Sequence, residues 1–232
     1  KRPTIIPEQQ GMAAIGQGLL MSIYNKFLRE YGETGAQILL TASDLEDRSR
    51  YLNAYNTLDS LLKNDVIPIV NENDTVATQE IRFGDNDTLS ARVAGLVEAD
   101  LLIVLSDIEG LYNGNPAESK KNLEVIHKIE EITPELEALA GGTNRKLGTG
   151  GMQTKLEAAK IATNSGITMI IGPGYREYII RDIVDMLENN IDNNQHDINE
   201  NDFLSDCCEK AKSNEKQKLT DYNIGTTFFP VT

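Results

Sequence analysis

Between residues 37 and 187, short apolar runs bounded by turn residues alternate with longer stretches of helical period. That alternation constrains the fold more than any single motif. The runs at 37–40, 66–70, 100–105 and 167–171 are too short for helices and carry no polar face. They read as strands buried on both sides, the pattern of a parallel sheet. The stretches between them read as helices, at 41–64, 88–98, 129–140 and from Met152 to about Ser165, with a last one at 177–187. Thr133 with Pro134 marks one helix start, and Ser43 or Asp44 is the expected N-cap of another. Residues 9–31 predict a further helix, with Met12, Ile15, Leu19, Met21, Ile23, Phe27 and Leu28 as the buried set. Gly16 and Gly18 interrupt it, which predicts close packing or ligand approach there, and Gly32 and Gly35 are expected to end it. A strand is expected again at 224–230. Strand–helix alternation of this kind gives an α/β class, a sandwich around a mainly parallel sheet.

The apolar run Val66-Ile67-Pro68-Ile69-Val70 turns abruptly polar at Asn71-Glu72-Asn73-Asp74. A second polar knot, Gly84-Asp85-Asn86-Asp87, opens the next helix. Ligands in open α/β sheets lie beyond the carboxyl ends of strands, so both knots fall where a small polar ligand would be held. Carboxylates there suit an ammonium, amides suit a carboxylate, and a spare Asp can face a metal or a lysine. Ordinary turn and N-cap chemistry accounts for one such knot equally well. Two knots about a dozen residues apart, the first ending an apolar strand, favour a site. The strand at 100–105 also ends in a polar pair, Ser106-Asp107, which predicts a shared rim. Farther on, Gly148-Thr149-Gly150-Gly151 leads into a helix through Met152, Gln153, Thr154 and Lys155. Glycines admit phosphate to the backbone, a helix start aims N–H groups at it, and a lysine supplies charge. Neither GxxxxGK[ST] nor GxGxxG can be placed there, and a plain tight turn is the competing reading.

Charge narrows the function classes. The net charge of −14 over 232 residues gives no basic footprint for nucleic acid. No apolar run approaches the length of a membrane span, and no stretch reads as a signal peptide. Cys207 and Cys208 are adjacent, so they form neither a disulfide framework nor a spaced metal site. A cytoplasmic setting is expected, and no metal-ligating set is assigned. Residues 189–223 are rich in Asn, Asp, Glu and Lys and read as a disordered or loosely helical insertion; His196 lies there with the cysteines.

Taken together, IVNEND, FGDNDTLSA, LLIVLSDIEGLY, LGTGGMQTKLEAAKIA and IGTTFFP, in this order, resemble the glutamate 5-kinases of the amino-acid kinase family. The AAIGQGLLM and LLTASDLEDRSRYLNAYNTLDSLL segments add to the likeness. The resemblance implies a three-layer α/β/α sandwich in a single domain over 1–232. It implies transfer of phosphate from ATP, with Mg²⁺, to the side-chain carboxylate of L-glutamate, the first step of proline synthesis. Asp74 and Asn86 match the glutamate-binding positions. Asp87 matches the carboxylate that organises the catalytic lysines. Ser106 and Asp107 match the nucleotide-contacting pair, with Ser where Thr is usual. Thr149, Gly150, Gly151, Met152, Gln153, Thr154 and Lys155 match the nucleotide loop, and Lys155 the lysine that stabilises the transferring phosphoryl group. The family's N-terminal strands, with a V-K-x-G-S/T motif and a Ser-Gly-Ala motif, have no counterpart here, so an N-terminally truncated chain is expected. The resemblance also implies feedback inhibition by proline and a homo-oligomer, a dimer or tetramer. Other kinases of this fold, a kinase portion of a bifunctional enzyme, and a non-catalytic amino-acid sensor are the alternatives. NEND followed by GDND favours free glutamate.

Overall fold

The structure, a computed structural model, describes residues 5–76, 86–114, 124–141, 151–192 and 224–230. They fall into two compact units, Lys1–Glu98 and Ala99–Thr232.

The first unit runs α1 (Ile6–Glu30), β1 (Thr34–Leu40), α2 (Ala42–Glu46), α3 (Arg48–Lys63), β2 (Val66–Glu72) and α4 (Asn86–Leu96). Pro7 and Glu8 suit the first turn of α1, and Arg29 suits its last. Gly32, at φ +77°, turns the chain out of it. β1 and β2 pair in parallel from Thr34↔Val66 to Leu40↔Glu72, with α2 and α3 as the crossover. Gly35 lies inside β1 rather than at the helix end. A Cβ there would meet Leu28 Cδ1 at 2.6 Å, so this glycine lets α1 lie directly on the strand.

The expected buried face of α1 is corrected by the structure. Met21 is buried and Leu28 half-buried, but Met12, Ile15, Leu19, Ile23 and Phe27 are exposed. Periodicity reports an apolar stripe and cannot say how wide a surface will meet it. Here a two-stranded sheet takes only a narrow part of a 25-residue helix. Gly16 and Gly18 likewise have nothing within 4 Å of a Cβ among the described residues, which goes against close packing, one of the two readings given to them, and leaves ligand approach as the other. The helix entry after β1 differs too. Thr41, not Ser43 or Asp44, is the N-cap of α2, because Asp44 at N3 accepts from the Thr41 N–H (2.7 Å) in a capping box. The chain then breaks at Asp47, whose side chain accepts from the Arg50 N–H and caps α3.

The second unit runs β3 (Leu101–Ser106), β4 (Lys128–Ile129), α5 (Pro134–Gly141), α6 (Met152–Asn164), β5 (Thr168–Pro173), α7 (Ile179–Asp192) and β6 (Thr226–Phe228). Its sheet has the order β3-β5-β6-β4. β3 pairs with β5 and β4 with β6 in parallel, while β5 and β6 are antiparallel. The class is therefore α/β with mostly parallel strands, as the alternation implied, but its described strands pair in two sheets. β4 was not foreseen, since two residues carry no period. α7 extends through Asp192, so residues 189–192 take the helical alternative of the expected insertion; 193–223 lie outside the described residues.

Ile170, Ile171, Ile183 and Phe228 are each almost fully buried. Burying such side chains contributes about 1.5–3 kcal/mol each. Gly225, just before β6, sits at φ +66°, and a Cβ there would lie 1.9 Å from the Ile171 carbonyl oxygen. No other residue fits this crossing, which explains the glycine of IGTTFFP. Thr226 Oγ1 accepts from the buried Leu111 N–H at 2.8 Å, and so ties β6 to the segment after β3.

Candidate functional site

The first knot is an extension of β2. Asn71 and Glu72 belong to the strand, and the Asn73 N–H donates to the Leu40 carbonyl at 2.8 Å, carrying the ladder one residue farther. The chain then turns. The Val76 N–H donates to the Asn73 carbonyl at 3.2 Å, and the Thr75 hydroxyl to Asn73 Oδ1 at 2.5 Å. Asp74 occupies this turn and is half-buried. It therefore stands beyond the carboxyl end of a parallel strand, where such sheets hold ligands.

The second knot enters α4. Asn86 is its first residue and is exposed; Asp87 is in its first turn and half-buried. Both lie where the helix presents N–H groups, and a carboxylate there is favoured by the dipole. Leu89, Ala91, Ala94 and Leu96 bury the other side of α4 and hold that end in place. Gly84 and Asp85 lie outside the described residues. Asp74, Asn86 and Asp87 are thus all in the first unit, at the end of β2 and the start of α4.

In the second unit Ser106 closes β3 opposite Pro173, the last residue of β5. The Gly174 N–H donates to the Ser106 carbonyl at 2.7 Å, and a Cβ on Gly174 would crowd Leu105 and Ser106 at 3.3 Å. The Ser106 hydroxyl donates to Asp107 Oδ1 at 3.2 Å, which leaves Asp107 exposed at the strand end. Close by in sequence, Glu109 accepts from the Tyr175 hydroxyl at 3.3 Å. Partial desolvation and the Glu109 charge hold the Tyr175 phenol above its ordinary range. Neither Tyr175 nor Gly174 stood out in the sequence. The Gly172-Pro173-Gly174 strand end was the available signal.

Gly151 is the N-cap of α6, in extended conformation, and among the described residues nothing stands within 4 Å of where its Cβ would be. Packing does not demand glycine there, whereas close approach of a ligand to the backbone would. The Thr154 hydroxyl donates back to the Gly151 carbonyl at 2.8 Å. Lys155 follows in the first turn, at the head of the stripe formed by Leu156, Ala158, Ala159, Ala162 and Thr163. Its exposure is only 9%. Lysines are seldom so buried without a partner or a task. Thr149 and Gly150 lie outside the described residues. A helix start with open backbone, an uncrowded glycine and a lysine in its first turn fits a phosphate-bearing ligand.

The polar ends of β2 and β3 belong to different units. Among the described residues no helix is long and apolar enough to cross a membrane.

Comparison with known proteins bears on these positions. A model of the amino acid kinase family matches residues 3–173. Glutamate 5-kinase of Clostridium acetobutylicum is 54% identical over 184 residues, covering 79% of this chain and 68% of that protein. Glutamate 5-kinase of Carboxydothermus hydrogenoformans is 57% identical over 171 residues, covering 74% of this chain and 46% of that protein. The chain thus spans from about half to two thirds of the length of these curated relatives. In structure it is similar to an isopentenyl phosphate kinase of T. acidophilum, with a TM-score of 0.52, 14% identity, and coverage of 76% of this chain and 66% of the other. That likeness supports the fold.

Proposed function

This chain belongs to the amino acid kinase family, among the glutamate 5-kinases, and we propose that the full protein transfers phosphate from ATP to the side-chain carboxylate of L-glutamate. The observation that carries this reading is the extent of identity to relatives bearing that name. The γ-carboxylate oxygen attacks the γ-phosphorus of ATP, and the bond from that phosphorus to the bridging oxygen breaks. γ-Glutamyl phosphate and ADP leave, and the product enters proline synthesis.

Protein groups have little covalent chemistry to do in such a transfer; they align the reactants and stabilise charge. Asp74 takes the ammonium of glutamate, and the Asn86 amide takes its α-carboxylate. Lys155 sets its charge against the phosphoryl oxygens, and its burial strengthens that interaction relative to water. Asp87 orients the cationic machinery. The backbone from Thr149 to Lys155 cradles the phosphates, and Ser106 and Asp107 contact the nucleotide. Mg²⁺ enters as part of the nucleotide substrate, on phosphate oxygens, which suits its preference for hard donors.

We read the two units as parts of one kinase domain, because the family match runs across their boundary. A cytoplasmic location, proline as feedback inhibitor and a homo-oligomer belong to the same proposal. The exposed apolar side chains along α1 support association.

The test is glutamate-dependent ADP release by the full-length protein with Mg-ATP, with aspartate and N-acetylglutamate as controls. Turnover with free glutamate and little with the others is expected. Equal turnover with all three, or with a control alone, would move the protein to another kinase of this fold.

A further inference from the structure

One side chain of α1 reaches the strand end that carries the first knot. Asn71 Nδ2 donates to Gln17 Oε1 at 3.0 Å, across 54 residues of sequence. The orientation of both amides follows from the backbone. Asn71 Oδ1 accepts from the Glu72 N–H at 2.9 Å, so its nitrogen must face Gln17 and receive the oxygen of that amide. Gln17 Nε2 is thereby turned the other way, where it is buried with no hydrogen-bond partner among the described residues.

An arrangement chosen for stability alone would not look like this. A buried donor without an acceptor is worse than an apolar side chain of the same size. Local rules are broken in this manner mostly where function requires the group. What Gln17 does achieve is to fix the Asn71 side chain, which in turn holds the Glu72 N–H. The residues so fixed, Asn71 and Glu72, lead directly into the turn at Asn73 that sets Asp74.

We infer that Gln17 is a positioning residue for the substrate-binding turn, acting through Asn71 on the placement of Asp74. The inference rests on the reading of Asp74 as a glutamate-binding residue. Gln17 touches neither reactant in this scheme. It makes α1 part of substrate recognition through a residue the sequence did not single out.

The experiment is a double-mutant cycle on the full-length protein, with Gln17→Met, Asn71→Ala and the pair combined, read as glutamate KM, kcat and thermal midpoint. Losing one positioning hydrogen bond is expected to raise KM about five- to tenfold in Gln17→Met, with kcat changed less than about twofold and the midpoint unchanged or higher. In the Asn71→Ala background the same substitution is expected to add nothing, because its route of action is already cut. Gln17→Asn, which shortens the arm and keeps the polarity, carries the same expectation and stands in if the Met variant folds poorly. An unchanged KM in the single variants, or effects that add in the double variant, overturns the inference while leaving the kinase reading intact. Wild-type protein without glutamate-dependent turnover overturns that reading, and this inference with it.

Discussion

Lys155 is only 9% exposed at the head of a helix whose buried stripe is Leu156, Ala158, Ala159, Ala162 and Thr163, an uncommon place for a lysine. Its retention is explained if charge is needed at the start of α6. Lys155→Ala should therefore lower kcat about 10²- to 10³-fold, the range seen when a preorganised charge-stabilising group is removed. Its unfolding free energy in urea should change by no more than about 1 kcal/mol, within the common span for single substitutions. Asp74→Ala should behave differently. It removes the group proposed to hold the substrate ammonium, so glutamate KM should rise about tenfold or more while kcat changes little. If both variants lose stability together and neither shows its kinetic signature, the polar knots are turns and nothing else. Gly225→Ala is the opposite control, since it touches no proposed site. A side chain at φ +66° costs about 1–3 kcal/mol by conformation alone, and its Cβ would meet the Ile171 carbonyl besides. It should unfold at distinctly lower urea, and a wild-type midpoint would show that β6 can shift away from β5.

At the scale of elements, the entry to α2 makes a prediction in pH. Partial burial raises the Asp44 carboxyl, but the Thr41 hydroxyl and N–H, with Arg50 at 3.3 Å, outweigh it and hold the group below the ordinary carboxylate range. A carboxyl depressed in the folded state stabilises at pH values above its unfolded pKa of about 3.9. That contribution fades as pH falls through the unfolded value toward the lower folded one. Asp44→Asn should therefore be less stable than wild type at pH 7, with the difference shrinking as pH falls below the unfolded value toward the depressed folded one, as urea titrations at several pH values would show. The same element shows what sequence could and could not disclose. A helix entry near residue 43 was legible from Thr-Ala-Ser-Asp. Which of four polar residues caps it depends on φ at Thr41 and on whether Asp44 can reach back, and neither is written in composition. β2, β3, β5 and α6 were legible because each has a clear period or an unbroken apolar run. β4 was invisible because its two residues are ordered by β6 beside it, a partner about a hundred positions away. The knots at Asp74 and Asp87 could be found from polarity alone. The bond from Gln17 to Asn71 could not, since nothing on α1 distinguishes a glutamine that faces a strand end from one that faces water.

Across the whole molecule, binding and turnover are separable, and separating them decides between an enzyme and a sensor on the same fold. Any ligand that binds the folded state and not the unfolded one stabilises it by RT ln(1 + [L]/Kd), about 2.7 kcal/mol at a hundredfold excess over Kd. The proposed nucleotide residues Ser106, Asp107 and Gly151–Lys155 are in one compact unit, and the proposed glutamate-site residues Asp74, Asn86 and Asp87 are in the other. ATP with Mg²⁺ and glutamate should thus each raise the thermal midpoint of the full-length protein alone. Lys155→Ala should abolish or reduce the nucleotide shift and leave the glutamate shift; Asp74→Ala should do the reverse. A chain that only sensed amino acids would keep the glutamate or proline shift, lack the nucleotide shift, and release no ADP. A kinase must show both shifts and glutamate-dependent ADP release in the same preparation. The acidic surface sharpens this contrast, because a molecule of net charge −14 repels ATP everywhere except where N–H groups and lysine converge. Raising ionic strength relieves that general repulsion and also screens the local attraction. Since Lys155 is buried and screened much less than surface charge, the nucleotide shift should hold or grow between about 0.05 and 0.2 M salt. A shift that collapses over that range would mean the nucleotide is held by exposed cations and not by the start of α6.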